Sequence, residues 1–286
     1  MIRKPRIPVT RFEFPLFQSI LNEIESGING SLGVLDKPIK VITLGTSHGD
    51  PTYERFNTST LLEVPGYGGI LIDAGTPVLG LLIRRRFPLD SLKAVFITHM
   101  HQDHFGGLPD IVKYWVKRLP GKVLRVFLPE AEAMETVFAF NELAHRPIDR
   151  NCFEVHEIAA GTLELDPGVT LEAIPTDHFS NEKRSFPSWA FKFGIADKTL
   201  LFTGDLSRDF HDFPAGISAD LAFCELTHYD LSQALPVLAA ADFGRLVFTH
   251  IGDQWHGAEA EKLFREKVAL LPYPAVMAHD GDEFEL

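Results

Sequence analysis

Cysteine is scarce in this chain of 286 residues, which contains only Cys152 and Cys224. The two thiols do not have the close spacing of a cysteine metal site, and they provide no disulfide framework. A reducing compartment is therefore the simpler interpretation.

Long apolar runs are also lacking. No segment of the sequence approaches the length of a membrane span. Pro5 and Pro8 interrupt an N-terminus that has basic residues but no long apolar stretch of the signal-peptide kind. We therefore expect a cytoplasmic protein without a membrane partner.

Basic residues are in the minority: 27 Lys and Arg stand against 39 Asp and Glu, which gives a formal charge of −12. This balance argues against a protein whose whole surface binds extended nucleic acid. Hydrophobic residues make up 45% and charged residues 23% of the chain, enough for a sizeable globular core.

Residues 98–104 read Thr-His-Met-His-Gln-Asp-His and are the most informative run in the chain. Apolar residues 94–97 precede the run as a short buried strand, and Gly106 and Gly107 follow it, so the histidines lie on a turn. Imidazole and carboxylate side chains in this arrangement suit two metal ions side by side.

Short apolar runs recur from residue 40 onward, with helical stretches between several of them. In two successive halves of the chain an aspartate after one strand is followed by a histidine after the next: Asp73 then His99, and Asp205 then His250. The runs predict strands at 40–45, 59–64, 69–73, 94–98, 123–128, 169–175, 189–195, 199–203, 220–224, 245–249 and 274–278, and helices at 108–118, 130–144 and 231–242.

Five further motifs follow one another in the order typical of one large family. The chain resembles the metallo-β-lactamase superfamily over roughly residues 40–286. The resemblance implies an α/β fold, the four-layer αββα sandwich, with the site on one rim. Besides 98–104, the motifs that carry it are residues 70–75, 176–178, 202–205, 248–250 and 279–281.

The expected domain organisation is an N-terminal extension at 1–38 and a single hydrolase domain at 39–286. Spaced apolar residues from Phe14 to Glu25 predict one amphipathic helix in the extension. This helix would cap the core or mediate dimerisation, so a homodimer remains open.

The resemblance also implies the metal ligands. His99, His101 and His178 would hold one ion, Asp103, His104 and His250 would hold the other, and Asp205 would bridge them. Two divalent ions are therefore expected, zinc by preference, although manganese and iron accept the same ligands. Two ions about 3.5–4 Å apart can hold a bridging hydroxide, which is a nucleophile at neutral pH. The ligand set therefore predicts a hydrolase.

Asp73 does not occupy a ligand position in the family pattern. Its expected role is to orient a ligand imidazole through a hydrogen bond. A purely structural Asp-Gly turn is the alternative.

Three further segments resemble the ribonuclease Z-like phosphodiesterases within the superfamily. They are residues 103–108, residues 44–51 with the following 57–59, and residues 224–228. The last segment contains a Glu-x-Thr motif. In those enzymes the glutamate pairs with a histidine on a separate short loop, which this sequence lacks, and His228 lies at that histidine's distance before His250 (250 − 228 = 22). The resemblance thus implies a catalytic dyad of Glu225 and His228 beside Asp103, in which His228 gives a proton to the leaving oxygen. The alternative is a surface pair at i and i+3.

One feature departs from the enzymes that process transfer RNA. They carry a long basic arm between the two motifs represented here by His178 and Asp205, and only 26 residues (205 − 178 − 1) separate these positions. We therefore expect a small or short phosphodiester, of the cyclic nucleotide or cyclic phosphate type. His48 and His256 are candidate substrate-binding residues at the rim.

Three other functions remain open. An ester, lactone or thioester hydrolase on the same metal core would need a donor that polarises the carbonyl, and Tyr229 is the candidate. A transfer-RNA 3′-processing endonuclease is less favoured because the long basic arm is missing. A scaffold without turnover is also less favoured, since a scaffold has no need of seven intact ligands.

Overall fold

The fold is built on two seven-stranded β-sheets. The structure is a computed structural model and describes residues 37–178 and 186–286. The predicted helix at 14–25 lies outside the described residues, as does nearly all of the predicted extension. The division of the chain at residue 38 therefore stays a prediction.

Sixteen strands lie in the described residues. In chain order they are β1 (Lys40–Gly45), β2 (Ser59–Val64), β3 (Gly68–Ile72), β4 (Leu92–Phe96), β5 (Leu124–Leu128), β6 (Phe153–Glu157), β7 (Gly161–Asp166), β8 (Val169–Thr176), β9 (Ser188–Ile195), β10 (Lys198–Phe202), β11 (Ser218–Ala219), β12 (Leu221–Leu226), β13 (Asp242–Phe243), β14 (Leu246–Ile251), β15 (Ala275–Met277) and β16 (Glu283–Glu285). The first sheet has the order β16-β1-β2-β3-β4-β5-β6 and the second β15-β14-β12-β10-β9-β8-β7, while β11 and β13 form a small separate pair.

Six α-helices lie in the described residues. They are α1 (Val78–Arg84), α2 (Gln102–Phe105), α3 (Leu108–Arg118), α4 (Ala133–Leu143), α5 (Leu231–Ala239) and α6 (Ala258–Val268). Helices α1, α3 and α4 share a buried apolar cluster with strands of the first sheet. Helices α5 and α6 do the same with the second sheet.

Aromatic side chains join the two sheets across the middle of the fold. Phe96 of the first sheet lies with its ring centroid 5.6 Å from those of both Phe191 and Phe193 in the second sheet. Phe223 of the second sheet is 5.6 Å from Phe284 of the first. With helices outside both sheets, these contacts confirm the predicted αββα sandwich.

Parallel pairing brings the ends of several strands to one rim. Strands β3 and β4 run parallel in the first sheet, and β10, β12 and β14 run parallel in the second. Parallel neighbours have their carboxyl ends at the same edge, where side chains from separate strands converge. Each of these five strands ends next to a candidate site residue: Asp73, His99, Asp205, Glu225 and His250.

Most elements with a clear apolar pattern match the sequence prediction, but helix α1 has the apolar sequence VLGLLIR and is absent from the prediction. The predicted strands and the helices at 108–118, 130–144 and 231–242 all have counterparts in the structure. Strand β7 buries only Leu165, and helix α6 buries only Phe264 and Val268, so neither shows a long apolar periodicity. None of the helices in residues 37–178 and 186–286 is long and apolar enough to cross a membrane.

Candidate metal centre

The histidine run bends as soon as it leaves the buried strand β4. His99 is fully buried just beyond the strand, and His101 is extended and precedes the short helix α2. Asp103 and His104 lie in this helix and are also buried. The turn therefore directs the four side chains of one short segment at two neighbouring points, as the sequence predicts.

The structure brings all seven predicted ligands together. One group, His99, His101, His178 and Asp205, has one candidate ligand atom per residue, all within 4.8 Å of one another. A second group that meets the same limit contains Asp103, His104 and His250. The two groups correspond to the two predicted ion positions.

Asp205 lies between the two groups. Its Oδ1 is 3.4 Å from Nε2 of His104, and its Oδ2 is 3.5 Å from Nε2 of His250. The same Oδ2 is 3.6 Å from Nε2 of both His99 and His178. A single carboxylate thus faces ligands of both groups, which is the arrangement expected of a bridging aspartate.

The buried polar atoms of the cluster fit a bound cation. Asp103 and Asp205 are only 6% and 2% exposed. Within the described residues, His104 Nε2 and Asp205 Oδ1 are buried without a hydrogen-bond partner. Buried charges and unpaired polar atoms are costly unless a counter-charge or a metal satisfies them. The donor set of imidazoles and carboxylates is one that zinc, manganese and iron accept.

The pKa shifts of the first group agree with this interpretation, whereas the charges of Asp205 and Asp73 outweigh burial and raise the pKa of His104 well above its ordinary value. Burial lowers the pKa of His99 well below its ordinary value and that of His101 to about 4. Both rings are therefore neutral at pH 7, the form in which imidazole binds a metal. Burial alone would raise the pKa of Asp205, but the neighbouring His250 and His104 hold it well below its usual range.

Asp73 contacts the imidazole of one candidate ligand. Its Oδ2 lies 2.8 Å from Nδ1 of His104, and its Oδ1 accepts a 2.8 Å hydrogen bond from the backbone N–H of Thr98. With Nδ1 of His104 engaged, Nε2 is the ring nitrogen that faces the cluster. The contact is of the kind expected for an orienting residue and goes beyond a simple turn.

Left-handed backbone occurs at three positions of this rim. Asp73 has φ 58° and His250 has φ 49°, values that L-residues with side chains rarely adopt. Gly204, with φ 59°, directly precedes Asp205, and a Cβ there would lie 2.7 Å from the carbonyl oxygen of Trp189. Strain of this kind persists only where the surrounding structure enforces it, and it is common at functional sites.

Glu225 forms the second part of the site with His228. The carboxylate of Glu225 is 1% exposed and accepts hydrogen bonds from the backbone N–H groups of Leu206, Thr227 and His228 at 2.9, 2.8 and 3.0 Å. Its Oε1 also lies 2.9 Å from Nδ1 of His228. A carboxylate this deeply buried rules out the alternative of an exposed surface pair.

His228 itself lies against the metal cluster. Its Nδ1 is 3.7 Å from Oδ2 of Asp205, and the two residues form a third potential ligand group with His250. Burial lowers the pKa of His228, but the hydrogen bond to Glu225 and the charge of Asp205 outweigh it and raise the pKa to about 9. His228 is thus close enough to the cluster to serve a bound substrate.

His48 lies beside both His250 and His256. The His48 ring centroid is 6.4 Å from those of His250 and His256. His48 Nε2 lies 3.0 Å from Oδ1 of the exposed Asp253, and His256 Nε2 lies 3.2 Å from the carbonyl oxygen of Ile251. Both histidines are therefore oriented while remaining about one-fifth exposed, with side-chain values of 22% and 21%.

The suggestion that Tyr229 faces the substrate is wrong. Its side chain is buried in the apolar cluster beneath the second sheet, with its ring 4.3 Å from that of Phe210. The hydroxyl donates a 2.6 Å hydrogen bond to the backbone carbonyl of Glu225. Tyr229 therefore cannot polarise the carbonyl of a bound ester.

No motif in the sequence marks Asp212, which lies in the loop after Asp205. Its carboxylate accepts hydrogen bonds from the backbone of Ser207 and of Asp177, the residue before His178. The only signal in the sequence is a local group of polar residues after Asp205, and its contacts depend on strands that are distant along the chain.

Comparison with protein families gives a match over more than half of the chain. The family model described as "Anti-Pycsar protein Apyc1" matches residues 39–219. The anti-Pycsar protein Apyc1 of Bacillus phage 010DV004 is 24% identical over 221 residues, which cover 69% of this chain and 83% of the phage protein.

Ribonuclease Z proteins are also similar. That of Mycobacterium sp. (strain KMS) is 31% identical over 181 residues, covering 58% of this chain but only 61% of the mycobacterial protein. That of Mycobacterium marinum is 27% identical over 266 residues, covering 78% of this chain and 92% of the relative.

Solved structures show the same fold. The metallo-β-lactamase fold protein YhfI from Bacillus subtilis has a TM-score of 0.70 at 20% identity, covering 87% of this chain and 100% of that chain. The short form of human tRNase Z has a TM-score of 0.67 at 19% identity, covering 86% and 98%.

Proposed function

We propose that this chain, which belongs to the anti-Pycsar protein Apyc1 family, hydrolyses small phosphodiesters of the cyclic nucleotide or cyclic phosphate type. It is a metal-dependent hydrolase of the metallo-β-lactamase fold, similar to phosphodiesterases. The proposal adds the substrate class and the roles of individual residues.

The observation that carries the proposal is the position of His228 between Glu225 and Asp205. Nδ1 of His228 is engaged by Glu225 at 2.9 Å, which leaves Nε2 as the nitrogen available to a substrate. The leaving alkoxide of a phosphodiester needs a proton, and a positioned imidazolium is a suitable donor. Glu225 would keep the ring oriented and stabilise its charged form.

The cluster described above would hold the two ions. His99, His101 and His178 would bind the first, Asp103, His104 and His250 the second, and Asp205 both. Two divalent ions in such a site neutralise charge on phosphoryl oxygens and make water acidic enough to react at neutral pH. We propose zinc as the resident metal, with manganese and iron compatible with the same ligands.

A small substrate is favoured over a transfer RNA. Although relatives carry the name ribonuclease Z, this chain has only 26 residues (205 − 178 − 1) between His178 and Asp205, too few for a long basic arm. A formal charge of −12 also disfavours an extended polyanion, because the whole surface field repels it. A cyclic nucleotide carries one phosphate and avoids most of this repulsion.

The proposal is tested by the rates for several substrates, with protein loaded separately with zinc and manganese. The panel contains the 3′,5′-cyclic forms of AMP, GMP, CMP and UMP, bis-p-nitrophenyl phosphate, a lactone, a thioester and a precursor transfer RNA. Cleavage of cyclic nucleotides that is lost in His228→Ala supports the proposal. Turnover of only the lactone or thioester, or of only the transfer RNA, would replace it with the corresponding alternative.

A further inference from the structure

Two of the candidate ligands come from separate strands of the second sheet. His178 follows β8 and Asp205 follows β10, and β9 lies between these strands in the sheet. Neither pairing with β9 extends as far as the two ligands. Contacts beyond the ladder must therefore set the distance between them.

The loop of residues 206–212, here called the clamp loop, supplies such contacts. The Asp212 carboxylate accepts a 2.6 Å hydrogen bond at Oδ2 from the backbone N–H of Asp177, the residue before His178. Its Oδ1 accepts a 3.0 Å hydrogen bond from the backbone N–H of Ser207, two residues after Asp205, and lies 2.7 Å from the Ser207 hydroxyl. One side chain thus connects the backbone beside one ligand to the backbone beside the other.

Two further contacts join the same segments. Nδ1 of His178 donates a 3.2 Å hydrogen bond to the carbonyl oxygen of Leu206, which directs Nε2 towards Asp205. His211 Nε2 in the clamp loop lies 3.2 Å from Oδ2 of Asp177. The ion pair of His211 with Asp177 is exposed, so solvent screens it. Asp212 is half-buried, and it bonds to backbone groups that have fixed positions.

We propose that Asp212 is a positioning residue of the metal centre, which sets the separation of His178 and Asp205 and thereby the affinity for the first ion. Metal ligands must lie within about 0.2 Å of their ideal distance, so a small shift of either segment weakens binding. Residues that orient ligands typically change metal affinity by about 10- to 100-fold when they are replaced. The proposal depends on the metal centre and is independent of the substrate.

Asp209 provides a matched control in the same loop. It is exposed, and its Oδ1 contacts the Ser207 hydroxyl at 2.9 Å and Nδ1 of His211 at 2.5 Å, but within the described residues it does not contact Asp177. Removal of Asp209 therefore changes the loop's charge by the same amount as removal of Asp212. It leaves the connection through Asp212 between the two ligand segments in place.

The experiment compares Asp212→Ala, Asp212→Asn and Asp209→Ala with the unmodified chain. Cobalt(II) is titrated into metal-free protein, and the affinity and absorption spectrum of each bound equivalent are recorded. The melting temperature of every variant is measured with and without metal. A merely structural carboxylate would lower both melting temperatures together, whereas a positioning residue reduces the stabilisation that metal adds.

We expect Asp212→Ala to weaken one of two cobalt equivalents by about 10- to 100-fold and to alter its spectrum. Asp212→Asn should lose less cobalt affinity, because its amide oxygen still accepts the hydrogen bond from Asp177. This variant serves as the test if the alanine variant does not fold. Asp209→Ala should bind both equivalents as the unmodified chain does. Unchanged cobalt affinity in both Asp212 variants, or equal weakening in Asp209→Ala, would overturn the proposal.

Discussion

Glu225 and His228 share a 2.9 Å hydrogen bond in which the carboxylate is 1% exposed and the imidazole keeps 25% of its side-chain surface in solvent. The buried partner is fixed by three backbone N–H groups, so it cannot follow a moving ring. The exposed partner can meet a substrate. This asymmetry is what a proton donor and its orienting carboxylate require.

His228→Ala should lower the rate of diester hydrolysis by about 10²-fold, since the proton donor to the leaving oxygen is removed. Both metal equivalents should remain bound, as measured by elemental analysis of the dialysed protein. His145→Ala, at an exposed histidine, is the control. Full activity in His228→Ala would show that His228 plays no part in the reaction.

Asp205→Ala should abolish turnover and reduce bound metal, because the carboxylate faces both ligand groups. Metal content and activity are measured on the same preparation after dialysis against a weak chelator. Asp197→Ala, at an exposed turn position, should keep both properties. If Asp205→Ala retained two ions and its rate, the assignment of the bridging position would be wrong.

Asp73→Asn should weaken metal binding by about 10- to 100-fold, because the charged partner of the His104 ring is lost. Asparagine preserves the shape of the side chain and tolerates the φ of 58° at this position. Competition with a chromogenic chelator measures the affinity. Asp90→Asn at the surface should have no effect, and an equal affinity in Asp73→Asn would reduce Asp73 to a turn residue.

His48→Ala should raise KM for a cyclic nucleotide by up to about tenfold, the effect of one hydrogen bond worth ~1.4 kcal/mol. The ring stands beside His250 and is held by Asp253, so it borders the space above the second ligand group. Steady-state kinetics over a range of cyclic nucleotide concentrations provide the measurement. An unchanged KM would place the substrate away from this side of the rim.

Tyr229→Phe should destabilise the fold by about 1 kcal/mol, because the Glu225 carbonyl loses a buried hydrogen bond. Urea unfolding measures the change, and Tyr53→Phe at an exposed position should not alter it. A selective loss of ester or lactone turnover in Tyr229→Phe would instead return Tyr229 to the active site.

The local sequence was sufficient for the main elements and for the ligand types. Apolar runs such as 40–45 and 59–64 coincide with strands because a strand buried on both faces needs apolar residues at nearly every position. The run from His99 to His104 identified a metal site because few other environments accommodate three imidazoles and a carboxylate so close together. The resemblance to a known superfamily added the order of the remaining ligands.

The burial and the contacts of individual side chains could not be predicted from the sequence. Tyr229 follows His228 directly and was a reasonable donor, yet its hydroxyl points into the core beneath the second sheet. Asp212 lies 35 residues from Asp177 along the chain, and their contact exists only because β8 and β10, on either side of β9, end at the same edge of the second sheet.

The sequence by itself therefore determined the chemistry of this protein: a fold of buried strands, and imidazole and carboxylate ligands at the strand ends. Tertiary structure alone decided which of these groups meet. It placed Asp205 between the two candidate ligand groups and buried Glu225 against His228, and it connected the backbone of Asp177 to that of Ser207 through Asp212. The physical reason is that strand pairing and sheet packing bring distant residues within a few ångströms, a distance that no local pattern encodes.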